Sequence, residues 1–251
     1  MTGYLGLGSN EGDRVASLRA ARAALVLRAM TAAVDDPERA PRSLTCHYLR
    51  PPIIGDAEIR VTVERAGRSL STLTARLEQD GRLATVAVAA FSTAFPTLGD
   101  YATPPPEAPG PEAVEVVPPH PKAPPIAHQV EARPVFGAPI FSGADEALVG
   151  GWMRLAEPRP IDAVALAFYA DAWMPAPWPR LTDLAPAPTV DLTIHFRIRL
   201  PLEGLDPAAP LLGRFRSTTS RDGFFEEDGE LWAPDGTLLA QSRQLGILMP
   251  M

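Results

Sequence analysis

The chain has 251 residues, 46% of them hydrophobic and 21% charged, which is enough for one large or two small globular domains with a real core. Its net charge of −7 argues against nucleic acid as a partner, because phosphate binding needs a basic face, and its single cysteine excludes an internal disulfide framework. No apolar run approaches the roughly 20 residues of a membrane span, and no basic-then-apolar leader opens the chain, so a cytoplasmic location is expected.

The chain opens with MTGYLGLGSNEGDR. Glycines at 6, 8 and 12 suggest a phosphate loop, but no Gly-Lys-Ser/Thr follows. Residues 4–25 are similar to the first segment of hydroxymethyldihydropterin pyrophosphokinases. The acidic motif that holds magnesium in that family is not found further along, so the segment is read structurally. GYLGL supplies a first strand, Ser9, Asn10 or Asp13 an N-cap, and Arg14 onward the first helix, DRVASLRAARAALVLRAMTAAV. This helix is rich in alanine and apolar on several sides, which suits burial against a sheet.

A strand follows in SLTCHYLRPP, and then an Asp80-Gly81 pair between apolar segments, a hairpin signal. From Pro96 to Pro125 there are 11 prolines in 30 residues. Such a stretch cannot keep regular ladder or helix bonds, so 96–125 is expected to be an extended linker or wrapping loop. It separates a first unit, 1–95, from a second, 126–251.

The second unit repeats the first. Leu44-Thr-x-His47-Tyr48 returns as Leu192-Thr-x-His195-Phe196, and Asp80-Gly81 returns as Asp235-Gly236. IDAVALAFYADAWM reads as its helix. LTIHFRIRL alternates, with Leu192, Ile194, Phe196, Ile198 and Leu200 on one face and Thr193, His195, Arg197 and Arg199 on the other. Two buried helices, each cradled by an antiparallel sheet, give an α+β fold of double hot-dog layout, and copies of such a unit are expected to share one continuous sheet.

Two polar residues stand out. Asp171 follows eight consecutive apolar or aromatic residues, and an unpaired buried carboxylate is costly unless it gains donors or a raised pKa. Gln244 shares its strand face with Leu238, Ala240, Ser242, Gly246 and Leu248, a mostly small or apolar face. Counted from the Asp-Gly turn, its counterpart in the first unit is Ala89, so the second unit carries polarity that its sister does not. A polar pair tying helix to sheet and a single working site in the second unit both fit this pattern.

The segments RSLTCHYLRPP, GRSLSTLTARLEQDGRLATVAVAAF, FYADAWMP, PTVDLTIHFR and DGTLLAQSRQLGI resemble, in that order, TesB-type (type II) acyl-CoA thioesterases. The resemblance covers about residues 24–250 and implies hydrolysis of acyl-CoA by a water held by an Asp, a Thr and a Gln, with no cofactor and no metal. By motif these are Asp171, Thr189 and Gln244. The lead-in before the first helix departs from that family, which leaves the first unit atypical. A non-catalytic acyl-CoA-binding protein is the alternative, and a hydratase would want a histidine that neither helix contains. Pairing into a homo-oligomer is left open.

Strand parity puts Thr189 on the face of Asp191 and His195, opposite Leu192 and Ile194. A bulge after Pro186 and Pro188 is the way to re-aim it. Cys46 and His47 are adjacent and so point to opposite faces, which makes a Cys-His dyad unfavourable. His47, His120, His128 and His195 lack metal-ligand spacing. Trp152, Tyr169, Trp173 and Trp178 are read as core or acyl-pocket lining, and EEDG at 226–229 as a solvated strand edge.

Overall fold

The computed structural model describes residues 2–5, 14–51, 53, 55–119 and 125–250. Alternating apolar residues place one face of each strand inward, and the helices cover that face. In chain order the elements are β1 (Thr2–Leu5), α1 (Arg14–Val34), β2 (Ala40–Tyr48), β3 (Ala57–Ala66), β4 (Leu70–Gln79) and β5 (Arg82–Ser92), followed by β6 (Val130–Phe136), β7 (Ala147–Leu155) and α2 (Ala163–Tyr169). The last are β8 (Thr189–Phe196), β9 (Leu211–Ser217), β10 (Ser220–Arg221), β11 (Phe224–Trp232) and β12 (Leu238–Ile247).

One antiparallel sheet runs β1-β3-β4-β5-β2-β8-β12-β11-β9-β7-β6, with β10 beside β11. The repeat is visible in this order: β2, β5, β4 and β3 on one side of the centre correspond to β8, β12, β11 and β9 on the other. The halves meet at β2 and β8, where Leu44 faces Ile194, Cys46 faces Leu192, and Thr45 faces Thr193. The two threonine hydroxyls lie 3.0 Å apart at the centre of the pseudo-symmetry. The single continuous sheet expected from the duplicated motif is therefore formed.

Helix α1 buries Ala23, Val26, Leu27 and Met30, an i, i+3, i+4, i+7 stripe, against Leu44, Leu73 and Phe91 of the sheet. The opening strand is present, since β1 pairs with β3. The candidate caps Ser9, Asn10 and Asp13 lie outside the described residues. Among the described residues no helix is long and apolar enough to cross a membrane.

The second helix is shorter than its pattern suggests. The Asp162 carboxylate caps it by accepting from the Ala165 N–H at 2.7 Å, and the helix ends at Tyr169 with Ala170 as its C-cap. Pro175 disfavours helical geometry at Met174 and has no N–H to continue the ladder. Asp171 thus sits not inside the helix but in the turn just beyond it. The two Asp-Gly pairs also differ. Asp80 and Gly81, with φ of 48° and 68°, form a two-residue hairpin loop. Asp235-Gly236 lies in a longer loop closed by the Ala233 N–H donating to Thr237 O at 2.9 Å.

Residues 96–119 form no strand beyond a single bridge between Val117 and Ala132, make one 3-10 turn at Pro111–Ala113, and pack on the sheet face turned away from the helices. That face carries Trp152, Leu212, Trp232 and Leu238, with Ala108 and Val114 packed on them. The Trp152 indole N–H donates to Pro109 O at 2.8 Å, and the Arg133 guanidinium donates to Pro111 O and Val114 O. Trp152→Phe removes the first of these bonds. It is expected to lower stability by about 1 kcal/mol and to speed cleavage at Glu107, Glu112 and Glu115 by a glutamate-specific protease. Unchanged cleavage would show that the indole bond does not hold the strap.

Candidate active site

The bulge that re-aims Thr189 is present. Along β8 and β12 the pairing runs Gln244↔Leu192, Leu245↔Asp191 and then Gly246↔Thr189, so Val190 is the extra residue. This reverses the parity of what precedes it, and Thr189 turns to the inward side of Leu192 and Ile194. The same irregularity recurs in the first half, where Pro41↔Phe91 is followed by Ser43↔Ala90, which leaves Arg42 as the extra residue. The backbone device is common to both copies, and only the side chains differ.

The Thr189 hydroxyl donates to the side-chain oxygen of Gln244 at 2.9 Å and lies close enough to the Asp171 carboxyl to lower its pKa. The structure therefore brings Asp171, Thr189 and Gln244 together at the junction of the α2 turn with β8 and β12. Register supports the comparison between the copies: Gln244 faces Leu192 on β8 and Glu227 on β11, while Ala89 faces Leu44 on β2 and Leu73 on β4.

Glu227 was not singled out from the sequence. EEDG is not a solvated edge: β11 lies between β12 and β9, and Glu227 is 4% exposed. Its Oε1 accepts from Gln244 Nε2 at 2.5 Å, and its Oε2 accepts from the Ala176 N–H at 2.6 Å. The available signal was the alternation of FFEEDGELW, which puts Glu227 in phase with buried Phe225, Gly229 and Leu231.

Two carboxyls thus lie in one cluster, Glu227 buried and Asp171 partly buried. Desolvation pushes Asp171 up to about 7, opposed by the Arg22 guanidinium and the Thr189 hydroxyl. Burial also pushes Glu227 up to about 7, opposed by the Ala176 N–H and the Gln244 amide and reinforced by the charge of Asp171. The first half contributes the opposite wall. Arg22 of α1 is 7% exposed, donates to Arg50 O at 2.8 Å, and stacks 4.2 Å from the Tyr48 ring centroid. The Tyr48 hydroxyl is buried without a hydrogen-bond partner, and its pKa is raised well above the ordinary phenol value by burial and then by Asp171. Burial also holds the Cys46 thiol up at about 12, so it is not a thiolate nucleophile. His47 faces Asp191 across the seam on the exposed side of the sheet, away from this cluster. Among the described residues no group of three or more His, Cys, Asp or Glu could hold a metal ion. A groove of about 580 Å³, lined by residues including Arg50, Gln79, Arg82 and Ala84, opens where the Arg50 carbonyl holds Arg22.

Two helices laid on one continuous antiparallel sheet, with an acid, a hydroxyl and an amide gathered at one of their two related positions, define a double hot-dog protein. Residues 20–93 match the family model of the acyl-CoA thioesterase N-terminal domain and residues 100–248 that of the C-terminal domain. The chain belongs to this acyl-CoA thioesterase family, in its TesB-type branch. No curated protein matches it. Among solved structures it is similar to a hot-dog protein of unknown function from Alicyclobacillus acidocaldarius, with 28% identity, a TM-score of 0.85, and coverage of 100% of this chain and 94% of that one. It is also similar to a candidate thioesterase II from Thermobifida fusca YX, with 26% identity, a TM-score of 0.79, and coverage of 99% and 96%. The acyl-CoA thioesterase II TesB2 of Mycobacterium marinum shares the fold at 23% identity and a TM-score of 0.72, with coverage of 93% and 91%.

Proposed function

We propose that the protein hydrolyses acyl-CoA to a free acid and CoA by direct attack of a water held by Asp171, Thr189 and Gln244. The observation that carries this reading is the polar cluster between α2 and the sheet, in which the Thr189 hydroxyl is bonded to Gln244 and bears on the titration of Asp171. A thioester needs no metal to be hydrolysed, because thiolate is a good leaving group. It needs an oriented water and a base whose pKa lies near the working pH.

The roles follow from the donors and acceptors. The amide oxygen of Gln244 accepts a hydrogen bond from the Thr189 hydroxyl, so the Thr189 oxygen offers its lone pairs to one water hydrogen. The Asp171 carboxylate accepts the other, and the developing hydroxide attacks the carbonyl carbon. The tetrahedral intermediate collapses with cleavage of the carbon–sulfur bond, and the proton held on Asp171 passes to the departing sulfur. The second Nε2 hydrogen of Gln244 and the unpartnered Tyr48 hydroxyl are donors available for the oxyanion. Arg50 and Arg82, in the groove that opens where the Arg50 carbonyl holds Arg22, suit the phosphates of CoA.

The test is release of free thiol from acyl-CoAs of graded length, followed with a thiol-reactive chromophore. Thr189→Val keeps the shape of the side chain and removes its hydroxyl, and is expected to lower kcat by about 10-fold to 30-fold with the fold intact. A wild-type protein that binds acyl-CoA and releases no thiol would leave a binding protein in place of an enzyme.

A further inference from the structure

A buried carboxylate with no part in the water-holding trio needs a reason to be there. Glu227 is 4% exposed, on an interior strand between buried Phe225 and Gly229. The molecule contains its own control. At the sister position the first half has Leu73, fully buried, facing Ala89 where the second half has Gln244. Packing at this point of the fold is therefore satisfied by a leucine, and the carboxylate answers another need.

We propose that Glu227 is a positioning residue for the hydrolytic reaction, fixing which way the Gln244 amide faces and where the turn bearing Asp171 sits. A primary amide is nearly symmetric in shape, so packing alone does not distinguish its oxygen from its nitrogen. An ionised carboxylate on one side does, because it can only accept. Glu227 Oε1 takes the Gln244 Nε2 hydrogen, which turns the Gln244 oxygen toward Thr189. Of the two neighbouring acceptors, Asp171 and Gln244, it is then Gln244 that receives the Thr189 hydrogen bond, and the Thr189 lone pairs remain for the water. With the amide reversed, Gln244 would present hydrogens to Thr189, and the hydroxyl would turn its own proton toward Asp171, in the place of the water's. The other oxygen of Glu227 holds the Ala176 N–H, five residues beyond Asp171, in the segment that leaves α2. One side chain thereby sets the spacing between the base and the amide.

This inference rests on the hydrolytic reading, and its test separates the two. Wild type, Asp171→Asn, Glu227→Gln and Glu227→Leu are compared for thiol release from one acyl-CoA, with kcat and KM resolved and Tm recorded. Glutamine at 227 has a single acceptor oxygen, so the Ala176 N–H and the Gln244 amide compete for it. Either the turn loosens or Gln244 reverses. The expected result is a kcat lower by roughly 10²-fold, the scale of an ångström-level misplacement, with KM within about threefold of wild type and Tm within about 4 °C. Glu227→Leu, matching Leu73, is expected to fold and to lose at least as much kcat. Wild-type kcat in Glu227→Gln, with Asp171→Asn inactive, overturns the role of Glu227 alone. A loss that scales with the folded fraction, with kcat per folded molecule unchanged, overturns it as well. A wild type that hydrolyses nothing overturns both readings.

Discussion

Asp171→Asn is expected to lower kcat/KM for thioester hydrolysis by about 10³-fold, the usual contribution of a positioned general base, while leaving the protein folded and more stable above neutral pH. The activity loss follows because neither neighbouring titratable group can replace Asp171 as the base. Glu227 has both oxygens occupied, by Ala176 and Gln244, and the Cys46 thiol is held neutral by burial.

The stability gain follows from the sign of the shift. Asp171 is raised to about 7, so the folded state holds this proton more tightly than the unfolded chain. Below the ordinary carboxylate value both states are protonated and there is no penalty. As pH rises toward about 7 the unfolded state ionises first and stability is lost, and above that value the full penalty is present. Asparagine is neutral throughout and removes it, although Arg22 then loses a partner and Asp171 is only partly buried. A gain of about 1–2 kcal/mol at alkaline pH is the expected size, read as a higher denaturation midpoint. A variant with wild-type activity would remove Asp171 from the mechanism. One that is inactive and also less stable would show that the carboxylate holds the fold.

The second large effect is the pH profile. Asp171 works as a base only when ionised, so kcat/KM is expected to rise with pH to a plateau above about 7, falling about tenfold per unit below that midpoint. Glu227, also raised to about 7, faces the same pocket, and each negative charge disfavours the other. The midpoint therefore belongs to the pair, and the first ionisation makes the second harder. Replacing Glu227 with glutamine removes that repulsion and is expected to move the midpoint of the residual activity downward. A profile flat from about pH 5 to about pH 9, after subtraction of spontaneous hydrolysis, would rule out a carboxylate base with a raised pKa.

The internal repeat is what made so much of the site legible. Leu192-Thr-x-His195 and Leu44-Thr-x-His47 mark equivalent strands, and the register confirms the equivalence by pairing Leu192 with Gln244 and Leu44 with Ala89. Because the central strands of the two copies share a register, a polar residue present in one and missing from the other marks a candidate site, as with Gln244 against Ala89, and the motif order of the resemblance adds Asp171 and Thr189. Glu227 escaped because a strand's alternation tells which residues share a face but not whether the strand lies at an edge. Three acids among four residues look solvated until β9 and β12 are placed on either side.

The sequence by itself determined the duplication, the alternation of the strands and the apolar character of α1, since each depends on spacings of a few residues along one segment, and the family resemblance supplied Asp171, Thr189 and Gln244 as the candidate trio. Only the tertiary structure decided where α2 stops, how the Val190 bulge turns Thr189 inward, and which carboxylate backs Gln244. It also decided that Arg22 and Tyr48 of the first half come near the candidate site. These outcomes depend on contacts between segments far apart in the chain, and burial, which costs little to a leucine and much to an unpaired acid, is a property of the assembled neighbours and not of the residue.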